Sequence, residues 1–280
     1  MAIYGAGAEQ SGDVRKSVTL RDLMSRKQAG DKIVMLTCYD ASFSRLLDAC
    51  GVDVLLIGDS LGMVLQGHDS TLTVSMDQLV YHTECVARPR PKAWIVADMP
   101  FGSYQESPAQ AYANAARLMA AGAQMVKLEG GGWLAPTVRF LSERGVPVCA
   151  HLGLLPQSVH ALGGYRVQGR DRVAAEQLIA DALLLEANGA GMVLVELIPS
   201  PLGKQLNEAL RVPTIGIGAG PHLTGQVLVL HDILDITPGK KARFAKNFLS
   251  GAGSIQAAVT RYISEVRSGQ YPGPEHGFES

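Results

Sequence analysis

Only four cysteines occur in the 280 residues, Cys38, Cys50, Cys85 and Cys149, and no two form a C-x-x-C pair. That scarcity argues against a thiolate zinc site and against the disulfide scaffold of a small secreted domain. Cys38 and Cys149 lie in strand-like runs and read as buried, reduced thiols. An excess of either charge is missing too: 25 basic and 26 acidic residues leave a formal net charge of -1. Neither a nucleic-acid footprint nor a polybasic membrane patch is expected from that balance. No apolar stretch is long enough to span a bilayer, and the N-terminus has no charged-then-apolar leader pattern. The expectation is a cytoplasmic protein with no membrane and no nucleic-acid partner. The 31 glycines and 14 prolines form no low-complexity segment; they fall at the ends of apolar runs.

What is present is a repeated alternation. Short runs, apolar throughout, read as strands at 33–37, 54–57, 94–97, 125–128, 146–150, 192–195 and 214–217, with a weaker eighth at 228–230. Unbroken apolar character suits parallel strands covered on both faces. Helical patterns fall between them. One starts at Ser107-Pro108, with Gln110 completing a capping box and Gly122 as the stop. Another runs from about Asp171 to Asn188, with Val173, Leu178, Ile179, Ala182 and Leu185 on one side. Strand and helix alternating about eight times predict a single-domain α/β (β/α)8 TIM barrel over 17–280. An open doubly wound sheet is the competing architecture. Residues 1–16 read as a loose arm, and a helix from Thr19 to about Lys27 is placed to close the barrel bottom.

The strand tips carry the chemistry. Strand two ends in "IGDS" with Asp59 and Ser60, strand three in "VADMPF" with Asp98, and strand four in "VKLEGG" with Lys127 and Glu129. Strand five ends in "CAHLGL" with His151, and strand six in "LVELIP" with Glu196. All strand tips of a barrel open on one face, where active sites are built. An acid at one tip could simply cap the next helix. Capping explains four such acids poorly, because crowded carboxylates repel unless a cation or proton sits among them. Hard oxygen donors of this kind suit Mg²⁺. Lys127 and Glu129, two residues apart, point to the same side of their strand. Lys127 reads as an ion-pair partner, as a cation for a substrate oxygen, or as both. His151 alone reads as a hydrogen-bonded core histidine. "GIGAG" at 216–220 reads as a close-approach loop or a tight turn, and no Lys-Ser/Thr follows to make it a P-loop. "QGHDST" (66–71) and "GGYRVQGR" (163–170) are candidate lids.

The ordered motifs "TCYDASFSRLLD", "GDSLGMVLQGHDSTL", "YHTECV", "ADMPFGSY", "MVKLEGG", "PVCAHLGLLPQSV", "GGYRVQGR", "LVELIP", "IGIGAG" and "YPGPEHGF" run from about residue 36 to 278. Together they resemble the ketopantoate hydroxymethyltransferase family. The resemblance implies a Mg²⁺-dependent barrel enzyme. It transfers a hydroxymethyl group from 5,10-methylenetetrahydrofolate to 3-methyl-2-oxobutanoate through a metal-stabilised enolate, giving 2-dehydropantoate. It implies Asp59, Asp98 and Glu129 at the metal, and Asp59, Ser60, Asp98 and Lys127 at the substrate. It further implies Glu196 as the catalytic base and a cytoplasmic homodecamer.

Two other readings fit the residues. One is a Mg²⁺-dependent 2-oxo acid lyase or mutase of the isocitrate lyase and phosphoenolpyruvate mutase kind, which needs no folate. Such enzymes usually carry a Cys or another acid on a mobile loop, and none of the four cysteines lies in a loop over these tips. The other is a barrel that senses a metal–metabolite complex without turning it over. Near the C-terminus, "AAVTRYISEV" places Val259, Tyr262, Ile263 and Val266 on one helical face. That face reads equally as a subunit boundary or as core packing.

Overall fold

A computed structural model describes residues 15–237 and 241–279. Its eight strands are β1 (Ile33–Thr37), β2 (Val54–Ile57), β3 (Trp94–Asp98), β4 (Met125–Glu129), β5 (Val148–Gly153), β6 (Ala190–Glu196), β7 (Thr214–Ile217) and β8 (Gly225–Leu228). They close in sequence order into a barrel, every pair parallel, with β8 returning to β1. Helices α1 (Leu20–Ala29), α2 (Ala41–Cys50), α3 (Leu61–Val64), α4 (Met76–Ala87) and α5 (Pro108–Ala120) belong to the first half of the chain. Helices α6 (Ala135–Ser142), α7 (Arg172–Ala187), α8 (Ser200–Ala209), α9 (Leu230–Ile233) and α10 (Ile255–Ser268) complete the set. No helix among the described residues is long and apolar enough to cross a membrane.

The apolar runs are strands because both of their faces are covered: β1 to β4 are buried at every residue. At roughly 1.5–3 kcal/mol per fully buried aliphatic side chain, this core is the main favourable contribution to the fold. Helix α1 closes the bottom as expected. Thr19 and Asp22 form its capping box, Leu23 is fully buried, and Leu20 packs over Gly191 at the start of β6. Buried Asp53, just before β2, gathers Arg15, Arg26 and Arg267 at this end.

Several expectations need correction. The eighth strand lies at Gly225–Leu228 and not at 228–230, because Ile33 to Leu36 pair with Gly225 to Leu228. Gly225 and Gln226 gave the sequence no strand-like look. Strand β5 runs on to Gly153, so His151 lies within it. The cap of α5 is half a box: Ser107 accepts from the Gln110 N–H, but Gln110 accepts from the Glu106 N–H. On α7, Ala182 and Leu185 are buried, whereas Val173 is 70% exposed. The α10 face is core packing: Val259, Tyr262, Ile263 and Val266 are all buried within the chain, against β1 and α2. Of the expected loose arm, residues 1–14 lie outside the described residues. Arg15, which is described, is fixed, donating to the Asp48 carbonyl at 2.9 Å.

Candidate functional site

Asp59, Ser60, Asp98, Lys127, Glu129, His151 and Glu196 all line one cavity of about 540 Å³ at the C-terminal ends of the strands. The strand register brings them together: Asp98 lies beside Lys127, Glu129 beside His151, and Gly153 beside Glu196. Gly58 leaves room below Asp59, since a Cβ there would stand 2.8 Å from the Ser60 hydroxyl. Asp59 does not cap α3, whose N-cap is Ser60, with no side-chain bond. Its Oδ2 instead accepts from Gln157 Nε2 at 2.9 Å, and its backbone N–H donates to Asp98 Oδ2 at 3.0 Å.

Lys127 is the cation at the floor. Its Nζ stands 3.0 Å from Asp98 Oδ1 and 3.5 Å from Glu129 Oε1. The first is an ion-pair contact whose angle falls outside hydrogen-bond geometry, so Asp98 Oδ1 stays without a hydrogen-bond partner. Burial opposes the lysine charge, yet Asp98, Glu129 and Asp59 together hold Lys127 well above the usual lysine range. Asp59 is pushed far up, by burial first and then by the charges of Asp98 and Glu129. Asp98 is raised by burial, against the pull of Lys127. Glu129 goes the other way: burial raises it, but Lys127 and His151 outweigh that and leave it low.

His151 occupies the centre. Its Nδ1 is 3.3 Å from Glu129 Oε1 and 3.3 Å from Lys127 Nζ, and its Nε2 is 3.3 Å from Glu196 Oε2. Burial and Lys127 disfavour its protonation, but the two glutamates win and raise its pKa. It is buried and hydrogen-bonded, as the core reading expected, and it also faces the cavity between two candidate acids.

Three residues escaped the sequence reading of roles. Gln157, buried in the turn after β5, donates its backbone N–H to Glu129 Oε2 at 3.0 Å while its amide holds Asp59 and the Met99 carbonyl. Tyr104 lies 2.7 Å from Gln157 Oε1 and donates toward it. Tyr39 bonds the Ser60 hydroxyl at 2.8 Å. Gln157 and Tyr104 stand in quoted motifs, but a neutral amide and a phenol carry no charge signal. The 66–71 segment reaches the cavity through Gly67, His68, Asp69 and Thr71, and the 163–170 segment through Tyr165. Of the 216–220 segment, Ile217 lines the cavity, while the turn after it packs against α8, where the Ala219 carbonyl lies on Gly203 and Gly220 lies on Ser200. All four cysteines are free, and burial pushes the Cys149 thiol up to about 12.

A divalent cation fits part of this donor set. Among the described residues, no three His, Cys, Asp or Glu side chains converge into a ready ion cage. Both Glu129 oxygens are already engaged by Gln157, Lys127 and His151. Asp59 and Asp98 each keep one oxygen free of hydrogen bonds, and the cluster holds more acid than base. Two carboxylate oxygens completed by water and a chelating ligand match the coordination of Mg²⁺, which retains several waters.

The family model described as Ketopantoate hydroxymethyltransferase matches residues 17–274. A 3-methyl-2-oxobutanoate hydroxymethyltransferase 2 of Burkholderia lata is 61% identical over 264 residues, covering 94% of this chain and 97% of its own. A 3-methyl-2-oxobutanoate hydroxymethyltransferase of Azoarcus sp. strain BH72 matches with the same identity and coverage. Among solved structures, a phosphonopyruvate hydrolase in complex with oxalate and Mg²⁺ superposes with a TM-score of 0.59 at 12% identity, covering 92% of this chain and 93% of that one. A 2,3-dimethylmalate lyase of the PEP mutase/isocitrate lyase superfamily gives a TM-score of 0.55 at 15% identity, covering 76% and 81%. The structural likeness shows the shared barrel fold.

Proposed function

The chain belongs to the ketopantoate hydroxymethyltransferase family, and from that premise we propose that it converts 3-methyl-2-oxobutanoate to 2-dehydropantoate with 5,10-methylenetetrahydrofolate and Mg²⁺. The observation that carries this reading is a single cavity with an acid cluster on its floor and Glu196 on its wall, joined through His151. Asp59 and Asp98 would hold Mg²⁺, with Glu129 beside them at the metal site. Bound there, Mg²⁺ would supply Lewis acidity toward the 2-oxo acid. Ser60, fixed by Tyr39, binds the substrate carboxylate. Lys127 adds positive charge beside a substrate oxygen.

Glu196 removes the C3 proton. The folate methylene carbon takes up water and both of its C–N bonds break, giving tetrahydrofolate and formaldehyde. The enolate C3 then attacks the formaldehyde carbon, whose oxygen takes the proton back from Glu196 and becomes the new hydroxyl. His151 lies between Glu129 and Glu196, each 3.3 Å from its ring, and the two carboxylates favour its protonated form. The lyase or mutase reading shares the fold but sits at 12–16% identity, against 58–61% for the hydroxymethyltransferase relatives. Assembly as a homo-oligomer, a decamer by the family pattern, is supported by exposed Val173 and Leu184 on α7 and by exposed Trp133 in the segment that packs on α7. The cytoplasm is its proposed location.

The test is direct. Purified protein with Mg²⁺, the 2-oxo acid and methylenetetrahydrofolate is assayed for 2-dehydropantoate by mass spectrometry. Product that requires all three components is expected; an absence of product, or its formation without folate, overturns the reading.

A further inference from the structure

The cavity is larger than the acid cluster needs. About 540 Å³ falls in the range of roughly 300–1,000 Å³ that holds drug-sized ligands, far beyond what a five-carbon acid fills. The floor acids come from β2, β3 and β4 and from the β6 tip. The other side, built by β7, β8 and the chain after them, is lined by Ile217, Val227, Val229 and Phe244. One acid interrupts that apolar wall: Asp232 on α9. Its Oδ1 accepts the Thr237 hydroxyl at 2.9 Å, and among the described residues nothing hydrogen-bonds its Oδ2. Burial raises its pKa, with only partial relief from Thr237 and Lys241. Asp69, the other acid outside the floor cluster and Glu196 that lines the cavity, is solvent-exposed. An oriented carboxylate in an apolar slot suits a flat ring that presents adjacent N–H donors along one edge.

Resting on the folate reading above, we propose that this side of the cavity is the subsite for the pterin ring, with Asp232 accepting from its 2-amino and ring N–H groups. Ile217, Val229 and Phe244 enclose the ring, and Thr237 fixes the carboxylate. A site built to hydrogen-bond a donor rejects an analogue that lacks it, because a buried polar group is then left unpaired. The folate's reactive carbon then faces the floor, where the 2-oxo acid sits.

The experiment is calorimetric titration with tetrahydrofolate and with 2-desamino-tetrahydrofolate, at saturating Mg²⁺ and 3-methyl-2-oxobutanoate. Wild type is expected to prefer tetrahydrofolate at least tenfold. Asp232→Asn keeps the size and the Thr237 contact but turns an acceptor toward the ring into a donor. It should lose at least tenfold in tetrahydrofolate affinity and lose the preference over the desamino analogue. Tetrahydrofolate affinity within twofold of wild type overturns the subsite. If wild type binds the 2-oxo acid but no tetrahydrofolate, the donor reading itself fails, and the subsite with it. Should Asp232→Asn melt early, Thr237→Ala is read in its place: several-fold weaker tetrahydrofolate binding is expected, and unchanged binding overturns the proposal.

Discussion

Asp98 Oδ2 accepts the backbone N–H of Asp59 at 3.0 Å, so the acids at the tips of β2 and β3 form one unit. Each like-charge contact of about 4 Å costs on the order of 4 kcal/mol at an effective dielectric constant near 20. A cation relieves that repulsion; deleting a charge relieves it as well. Asp59→Asn should therefore melt at or above the wild-type temperature without metal, whereas Asp98→Asn removes the nearest counter-ion of buried Lys127 and should melt lower. Both should lose at least 100-fold in kcat/KM, about 2.7 kcal/mol. Asp98→Ala should also lose stability, because the Asp59 N–H then has no partner. Calorimetry with Mg²⁺ and the 2-oxo acid checks the assignment. Unchanged Mg²⁺ affinity in both Asn variants removes these residues from the metal.

Glu196 is tested by proton exchange without folate. Glu196→Gln keeps the shape and the contact toward His151 but lacks the basic lone pair. It should bind the 2-oxo acid and Mg²⁺ yet exchange the C3 proton for deuterium at least 100-fold more slowly by NMR. Exchange near the wild-type rate hands the role to His151, which lies 3.3 Å away.

Gln157 ties Asp59, Glu129 and the Met99 carbonyl in the buried floor. Each polar group left unsatisfied there costs about 1–3 kcal/mol. Gln157→Leu should lower stability by roughly 2–4 kcal/mol in urea unfolding and reduce kcat along with it. A variant that unfolds like wild type argues that water replaces the amide without loss.

The Tyr262 hydroxyl reaches the Met35 and Gln226 carbonyls at 3.1 and 3.0 Å, spanning β1 and β8. Tyr262→Phe should cost about 1 kcal/mol, and Tyr262→Ala about 3–5 kcal/mol. Removing the chain from Gly253 onward should give a protein without a cooperative thermal transition. Cooperative unfolding of that truncation at the wild-type temperature contradicts the packing described for α10.

Glu265 supplies a pH signature away from the cavity. Burial raises its pKa, but Lys246 at 2.6 Å and Arg261 at 2.9 Å bring it below the ordinary 4.5. A carboxyl lowered in the folded state contributes stability above its unfolded pKa and loses it as pH falls through the folded value. Glu265→Gln should thus be less stable than wild type at pH 7, by on the order of 1 kcal/mol given the partly exposed cations. The gap should narrow below pH 4.5. A gap that is constant from pH 7 to 3 means the charge contributes nothing.

The barrel was legible because strands covered on both faces write unbroken apolar runs, and an acid ending such a run is conspicuous. Asp59, Asp98, Glu129 and Glu196 stand out for that reason. Strand β8 was displaced because Gly225 and Gln226 earn their place from pairing with β1, which no local pattern records. The α10 stripe was visible, but a stripe does not state what covers it. His151 was visible only as a core histidine, and the register of β5 against β4 and β6 reveals the carboxylates it meets. Gln157 was hidden because amides are ordinary in cores, and only the fold of the turn after β5 brings it to Glu129 and Asp59.

Closing β8 on β1 joins Ile33 to Gly225 across most of the chain. Such a loop carries a closure entropy that must be met before the pairing returns any energy, so seams of this kind form slowly. A ribosome delivers the tips of β2, β3 and β4 long before that seam can exist. Until then the nascent chain shows open strand edges and a set of acids with no barrel wall to shield them. A half-translated chain is therefore an aggregation hazard that holds no complete site.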